Sequence, residues 1–189
     1  MEYYKRVILK DGRECILRNG TGKYGEAVLN IFLLTHGQTD YLTSYPDECT
    51  MTAESEGTFL QKQTESLNGI EILSEVDGKV VGTAGIGAIG GQDKVKHRAE
   101  FGVSVDKSYW ALGIGSALTE ACVACAEKAG FHQLELEVVS DNQPAVNLYK
   151  NIGFVEYGRN PKGFLSRFTG WQELILMRLE INPNKEKDK

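Results

Sequence analysis

The sequence has few prolines, no long apolar run and no excess of positive charge. A membrane-spanning helix needs about 18 or more consecutive apolar residues, so we expect no membrane partner. The formal net charge of −5 argues against a nucleic-acid partner, because general binding to a polyanion needs a basic surface. The first residues also lack the apolar core that precedes the cleavage site of a signal peptide. We therefore predict a cytoplasmic protein.

The four cysteines do not form a metal or redox motif. Cys122 and Cys125 are spaced as C-x-x-C, but they lie in the alanine-rich helical stretch SALTEACVACAEKAG. No second Cys or His pair stands at a zinc-like spacing. Residues three apart lie on the same side of a helix, and free cysteine is among the most buried residue types. We therefore predict that both pack in the core and that the protein holds no metal.

The length predicts one domain. A chain of 189 residues with 41% apolar side chains can bury one sizeable core but is too short for two full-sized domains. No linker or repeat divides it. We assign the domain to residues 1–181 and predict a disordered charged tail at 182–189, with the sequence NPNKEKDK.

Turn signals and apolar periodicity divide the first half of the chain into short elements. Asp11-Gly12 and Asp77-Gly78 each lie between β-prone runs and predict hairpins. Helical spacing of apolar residues predicts helices over 23–34 and 52–67. The loop between these helices holds Pro46. The second helix offers three candidate core residues, which are Phe59, Leu60 and Leu67.

The second half alternates strands and helices. We predict strands over 70–76, 79–86, 99–105, 134–139, 154–159 and 173–179, with a flexible link over 87–92. We predict helices over 113–130 and 143–151, the latter opened by an Asn cap and a proline in its first turn. This order predicts a mixed α/β (α+β) fold, in which helices flank one central sheet.

Two glycines, Gly113 and Gly115, open the helix that follows a β-prone strand. The first turn of a helix has unpaired N–H groups that attract anions, and glycine lets a phosphate approach the backbone. The alternative is that the glycines only permit close packing of helix and strand. The chain lacks both the P-loop and the dinucleotide fingerprint, which argues against an unrelated nucleotide binder.

The segment Trp110-Ala-Leu-Gly-Ile-Gly115 resembles the acyl-CoA pyrophosphate motif [QR]-x-x-G-x-[GA]. Residues 142–154 match N-x-x-A-x-x-L-Y-x-x-x-G-F at every fixed position. Together these blocks resemble the GNAT superfamily of N-acetyltransferases over about 70–179, whereas residues 1–68 fit loosely. Trp110 departs from the motif because it stands where the family usually has Gln or Arg.

The resemblance implies a mostly antiparallel sheet in which two neighbouring strands, here 101–105 and 134–139, splay apart. The pantetheine arm of acetyl-CoA would lie between them, against backbone groups of Val103 and Val105 and the side chain of Asn142. The pyrophosphate would bind the backbone amides of six successive residues, which are Ala111, Leu112, Gly113, Ile114, Gly115 and Ser116.

The resemblance also implies candidate catalytic residues. Tyr149 stands at the position of the family's general acid, and its alternative role is a core tyrosine whose hydroxyl bonds to the backbone. Glu137 and Glu100 stand where different family members place a general base. Either could instead be a solvated or ion-paired surface carboxylate, and a water relay needs neither. The three histidines are expected at the surface or in loops, without a role, and they are His36, His97 and His132.

The function implied is an acetyl-CoA-dependent N-acetyltransferase that acts on a primary amine by direct attack in a ternary complex. The alternative is a catalytically inactive acyl-CoA-binding sensor or partner module of the same fold. Residues 24–67 and 159–171 would shape the acceptor site. The acidic, aromatic loop over 40–48 could receive a cationic amine or simply be solvated. A homodimer is common in the family, and the sequence leaves it open.

Overall fold

One eight-stranded sheet forms the centre of the structure, a computed structural model that describes residues 1–181. The tail predicted at 182–189 lies outside the described residues. The strands are β1 (Tyr4–Ile8), β2 (Glu14–Asn19), β3 (Ile70–Val76), β4 (Lys79–Ala88), β5 (Arg98–Val105), β6 (Gln133–Val139), β7 (Val155–Ser166) and β8 (Gly170–Glu180). Their order in the sheet is β1-β2-β3-β4-β5-β6-β8-β7. All neighbours are antiparallel except β5 and β6, so the predicted mixed sheet is confirmed.

Four helices flank this sheet, and they are α1 (Gly25–Gln38), α2 (Ala53–Glu65), α3 (Ile114–Lys128) and α4 (Gln143–Ile152). The first helix continues four residues beyond the predicted end, because Thr35 and His36 stay buried and the Thr35 hydroxyl bonds to the Ile31 carbonyl. Within residues 1–181, no helix is both long and apolar enough to cross a membrane.

The hairpin predicted at Asp77-Gly78 is confirmed. Both residues adopt left-handed conformations, with φ of 52° and 76°. That is the geometry of a tight type I′ turn, which matches the twist of the flanking strands. The turn pairs Val76 with Lys79, and the register places Gly85 of β4 opposite Glu71 of β3. The predicted flexible link starts later than expected, because β4 continues to Ala88.

The sheet has a core on each face. The larger core lies under α3 and α4 and contains Cys122 and Cys125, so their predicted burial is confirmed. The smaller core lies under α1 and α2 and consists of five residues, which are Val28, Ile31, Leu60, Leu73 and Val80.

Two of the predicted core residues are exposed. Phe59 is 42% exposed and Leu67 is 88% exposed, so the prediction was wrong for both. Only one side of α2 faces the sheet, and Leu67 lies beyond the end of that helix. His36 also differs from expectation, because it is buried and stacks on the ring of Phe32. His97 and His132 are exposed as expected.

Candidate acetyl-CoA site

The parallel strands β5 and β6 separate after three residue pairs. Pairing covers Arg98–Glu100 of β5 against Gln133–Glu135 of β6 and then stops, although both strands continue. Beyond this point the facing backbone groups lack the strand partner that a closed sheet would supply. The splayed pair implied by the resemblance is therefore present, and we call the space between the diverging strands the gap.

The hydrogen bonds of β5 show which of its backbone groups face the gap. The Arg98 carbonyl accepts from Ile89 N at the end of β4, and Asp106 N donates to the Val81 carbonyl of the same strand. Backbone groups of successive residues point to opposite sides of a strand. Even-numbered residues therefore face β4. The gap is faced by the odd-numbered residues Phe101, Val103 and Val105.

The opposite wall of the gap is β6. Ser140 N donates to the Glu173 carbonyl of β8 over 2.9 Å, so the alternation directs the backbone groups of Glu137 and Val139 into the gap. The Val139 carbonyl is already occupied, because it accepts from Asn142 N. Polar backbone groups therefore line both walls, as an amide-bearing ligand lying between the strands would require.

The turn before α3 presents free N–H groups at the open end of the gap. Within the part of the chain that the structure describes, none of the amides of 111–116 donates to a protein acceptor. Ala111 and Gly113 have positive φ angles of 63° and 98°. Successive amides in such a turn form a concavity that binds anions, and the start of a helix adds a favourable dipole. The arrangement fits a pyrophosphate.

The side chain of Trp110 holds this turn against β5. Its indole Nε1 donates to the Val105 carbonyl over 2.7 Å, and the Lys107 ammonium lies 5.8 Å from the ring centroid. The residue that departs from the motif therefore braces the turn by a different bond. It also occupies a gap-facing carbonyl of Val105, which leaves the N–H of that residue for a ligand.

A second brace links α1 to the same turn. Gln38 Nε2 donates to Asp106 Oδ1 over 3.0 Å, and Lys107 N donates to Gln38 Oε1 over 2.8 Å. Burial opposes ionisation of Asp106, but the bonds from Gln38 and Ser108 outweigh it and lower the pKa of that carboxyl. No local sequence pattern indicates this pair, because its partners are 68 positions apart.

Tyr149 lies beside the strand where the gap opens. Its ring packs edge-on against Phe101, with centroids 6.1 Å apart, and is 8% exposed. Burial raises the pKa of Tyr149 to about 12, so the hydroxyl stays protonated at neutral pH. The alternative role predicted a hydroxyl bonded to backbone, yet among the described residues no such bond is found.

Asn142 occupies the N-cap of α4. Its Oδ1 accepts from Ala145 N over 3.4 Å, which is a long capping bond. The side-chain amide Nδ2 donates to no group within residues 1–181, so it remains available to a ligand. The residue therefore combines a helix cap with a free donor next to the end of β6.

Glu100 and Glu137 lie on the same face of the sheet, opposite the side occupied by α3 and α4. Both are exposed, and neither is in an ion pair within residues 1–181. Glu135, which lies between them, forms two bonds of 2.5 and 2.7 Å to Arg98. Glu100 belongs to the last paired rung, whereas Glu137 lies where the strands have parted. The structure brings both candidate bases together and keeps both accessible.

Asp40 has a structural role that the sequence did not indicate. One of its oxygens accepts hydrogen bonds from Thr169 and Gln172, each over 3.1 Å, and also from Ser166. The Tyr45 hydroxyl donates to the other oxygen over 3.2 Å. Asp40 therefore fastens the loop after α1 to the β7–β8 hairpin, and these bonds compete with the suggested binding of a cationic amine.

The profile of the Acetyltransferase (GNAT) family matches residues 34–154, and the chain belongs to this family. L-amino acid N-acyltransferase MnaT of Escherichia coli is 27% identical over 138 residues, which cover 72% of this chain and 80% of the relative. A crystal structure of a GNAT-family acetyltransferase from Streptococcus pneumoniae superposes with a TM-score of 0.84 at 29% identity, covering 89% of this chain and 99% of the other.

A second solved structure carries the co-substrate. YncA from Salmonella typhimurium, determined with acetyl-CoA, superposes with a TM-score of 0.79 at 20% identity and covers 89% of this chain and 94% of its own. At this level of sequence identity, the structural similarity shows that the two proteins share a fold. Together with the family match, the named relatives show that the chain is an N-acetyltransferase by family.

Proposed function

We propose that the protein transfers an acetyl group from acetyl-CoA to a primary amine of a small molecule or peptide. The observation that carries the proposal is the gap between β5 and β6, with the free amides of 111–116 at its open end. Backbone groups of Val103 and the Val105 N–H would bind the pantetheine arm. The amides of 111–116 would bind the pyrophosphate, and the Asn142 amide would bind pantetheine.

The reaction is a direct attack in a ternary complex. The neutral amine attacks the thioester carbonyl, a C–N bond forms, and the C–S bond breaks to release the thiolate. The amine loses one proton, which Glu100 or Glu137 accepts directly or through water. The thiolate gains one proton from Tyr149. Because the pKa of Tyr149 is about 12, its hydroxyl still carries that proton at neutral pH when the C–S bond breaks.

The choice of a small-molecule amine is supported by the relative MnaT, whose name specifies L-amino acids. Peptide acceptors stay in the proposal because another relative, 34% identical over 82 residues, is named for the alanine of ribosomal protein bS18. The cytoplasmic location stays a prediction of the sequence, and a homodimer stays open.

Calorimetric titration with acetyl-CoA, followed by a thiol-release screen, tests the proposal. The screen covers polyamines, amino acids, aminoglycosides and N-terminal peptides. We expect binding and thiol release with at least one amine. Binding without release from any amine would support the inactive acyl-CoA-binding alternative. No heat with acetyl-CoA, or stronger thermal protection by ATP or NAD, would overturn the proposal.

A further inference from the structure

Three consecutive residues, Gln38, Thr39 and Asp40, connect the two sides of the gap at its open end, and we call them the strap. Gln38 is the last residue of α1, and Thr39 continues in an extended conformation with φ of −148° and ψ of 154°. The side chain of Gln38 bonds to the turn after β5, whereas Asp40 bonds to the β7–β8 hairpin. One short segment therefore links two parts of the sheet.

The first end of the strap is held at the end of β5. Gln38 Nε2 donates to Asp106 Oδ1 over 3.0 Å, and Gln38 Oε1 accepts from Lys107 N over 2.8 Å. Asp106 directly follows β5, is 3% exposed, and donates its N–H to the Val81 carbonyl of β4. A hydrogen bond is stronger where water is excluded. Gln38 is therefore fixed to the wall of the gap that leads into the amides of 111–116.

The second end of the strap is held beside β6. Gln172 Nε2 donates to Asp40 Oδ2 over 3.1 Å and to the Asp40 carbonyl over 3.2 Å. Gln172 is 8% exposed. It lies in β8, two residues from Leu174, which pairs with Val139 at the end of β6. Asp40 is therefore fixed to the strand that supports the opposite wall, at the height where the gap is open.

The strap crosses on the sheet face that carries the candidate bases. Alternate residues of a strand share a face, so Gln172 lies on the same face as Leu176, which pairs with Glu137 of β6. Two steps of extended chain span about 7 Å, compared with about 4.8 Å between neighbouring strands of a closed sheet. The strap therefore exceeds one strand spacing, as parted strands require, and limits how far its two anchors can separate.

We propose that Gln38 and Asp40 are positioning residues for acetyl-CoA binding, and that the strap holds the two walls of the gap at the spacing that the pantetheine arm requires. The inference rests on the proposed function and assigns a role in it to two residues that act through the walls. A preformed gap spares the ligand the cost of ordering both walls. Releasing either end of the strap removes the same restraint, so both ends should affect the same binding step.

Calorimetric titration with acetyl-CoA measures the effect of each end. Gln38→Ala and Asp40→Ala should each raise the Kd for acetyl-CoA about fivefold or more, as expected for the loss of one restraining hydrogen bond. The double variant should bind no more than about twofold more weakly than either single variant, whereas independent effects would multiply to about twenty-five-fold.

Asp47→Ala is the matched control for Asp40→Ala. Asp47 also binds the hairpin, through bonds of 2.7 and 2.8 Å to Arg167, but its side chain is 67% exposed and it lies outside the strap. Its loss removes a contact between the same loop and the same hairpin without releasing the strap. Asp47→Ala should therefore keep the wild-type Kd for acetyl-CoA.

An exchange of bonding groups separates positioning from a general loss of stability. Gln38→Glu places a second carboxylate against Asp106 and should raise the Kd for acetyl-CoA. Adding Asp106→Asn restores a donor facing an acceptor and should recover most of the affinity. Melting curves identify the variants that remain folded at the temperature of the titration.

Wild-type affinity in folded Asp40→Ala, effects that multiply in the double variant, or no recovery in the exchanged pair would overturn the inference. A lower melting temperature with an unchanged Kd would also overturn it, because the strap would then contribute to stability alone. Acetyl-CoA binding by the wild-type protein would in each of these cases leave the proposed function intact. Absence of heat with the wild-type protein would instead overturn the proposed function itself.

Discussion

The indole N–H of Trp110 donates to the main-chain carbonyl of Val105 over 2.7 Å. This bond closes the turn before α3 back onto the strand from which the turn departs. The family motif has Gln or Arg at this position, and Trp110 maintains a brace there with a different donor. The same bond fixes the end of β5, so the indole acts on both the turn of residues 111–116 and the wall of the gap.

Trp110→Phe should therefore weaken acetyl-CoA binding. The loss of one hydrogen bond that orders the turn is worth about 1 kcal/mol, or a rise of about fivefold in Kd. Trp110→Gln restores a donor and should bind more tightly than Trp110→Phe. Calorimetry with acetyl-CoA measures both, with Trp171→Phe as control at an exposed site of β8. Equal Kd for wild type and Trp110→Phe would contradict the role.

Tyr149→Phe should reduce kcat by about a hundredfold or more, because a general acid contributes about 10²–10⁴ in rate. The ring keeps its packing against Phe101 and Phe154. The hydroxyl makes no bond to the described residues, so thermal stability and the Kd for acetyl-CoA should be nearly unchanged. Steady-state kinetics and a melting curve separate the two effects. A fully active variant would remove Tyr149 as the acid.

Comparing Glu100→Gln with Glu137→Gln should show which of these two exposed carboxylates acts as the general base. The variant that lacks the base should lose kcat/KM by about a hundredfold at neutral pH. It should recover as the pH rises, because more of the amine is then already neutral. A pH series of kcat/KM for both variants is the measurement. If neither loses activity, a water relay or another group accepts the proton.

Gly113→Ala should impair both stability and cofactor binding. Gly113 has φ of 98° at the N-cap of α3, a conformation that costs a residue with a Cβ about 1–2 kcal/mol. The melting temperature should fall and the Kd for acetyl-CoA should rise. Gly91→Ala is the control, since a Cβ there meets no atom within 4 Å and its φ is not positive. An equal effect of both substitutions would contradict the argument.

Glu71→Gln should stabilise the protein more at high pH than at low pH. The pKa of Glu71 rises from 4.5 to about 7 on folding, through burial and the neighbouring Glu56. A carboxyl with a raised folded pKa contributes stability that is complete below its unfolded pKa and is lost as the pH rises through about 7. Glutamine does not titrate.

The gain of Glu71→Gln over wild type should therefore grow between about pH 5 and pH 8, by up to about 3 kcal/mol. Urea unfolding at both pH values, in the absence of ligand, measures this difference. A gain that is independent of pH would mean that Glu71 does not titrate in this range. Glu54→Gln, at an exposed position of α2, serves as the control.

Local sequence signals account for most of the elements. The Asp77-Gly78 turn, the Asn142 cap and the glycines that open α3 depend on interactions among residues close in the chain, so each was predictable. The predictions of burial or exposure were wrong at Phe59, Leu67 and His36, where the packing of the folded chain decides which side chains are buried. The side of a helix that meets the sheet depends on its rotation against distant strands, and sequence periodicity specifies that poorly for a short amphipathic pattern.

The sequence by itself indicated the family, because its two motifs are short and contiguous in the chain. Through that resemblance it also predicted the splayed strands and the turn of residues 111–116. Only the tertiary structure decided that Trp110 bonds to Val105 and that Asp40 fastens the β7–β8 hairpin. It alone placed the carboxylate of Glu71 across Gly85 of the neighbouring strand. Such contacts depend on strand register and helix packing between residues far apart in the chain, and no local pattern encodes them.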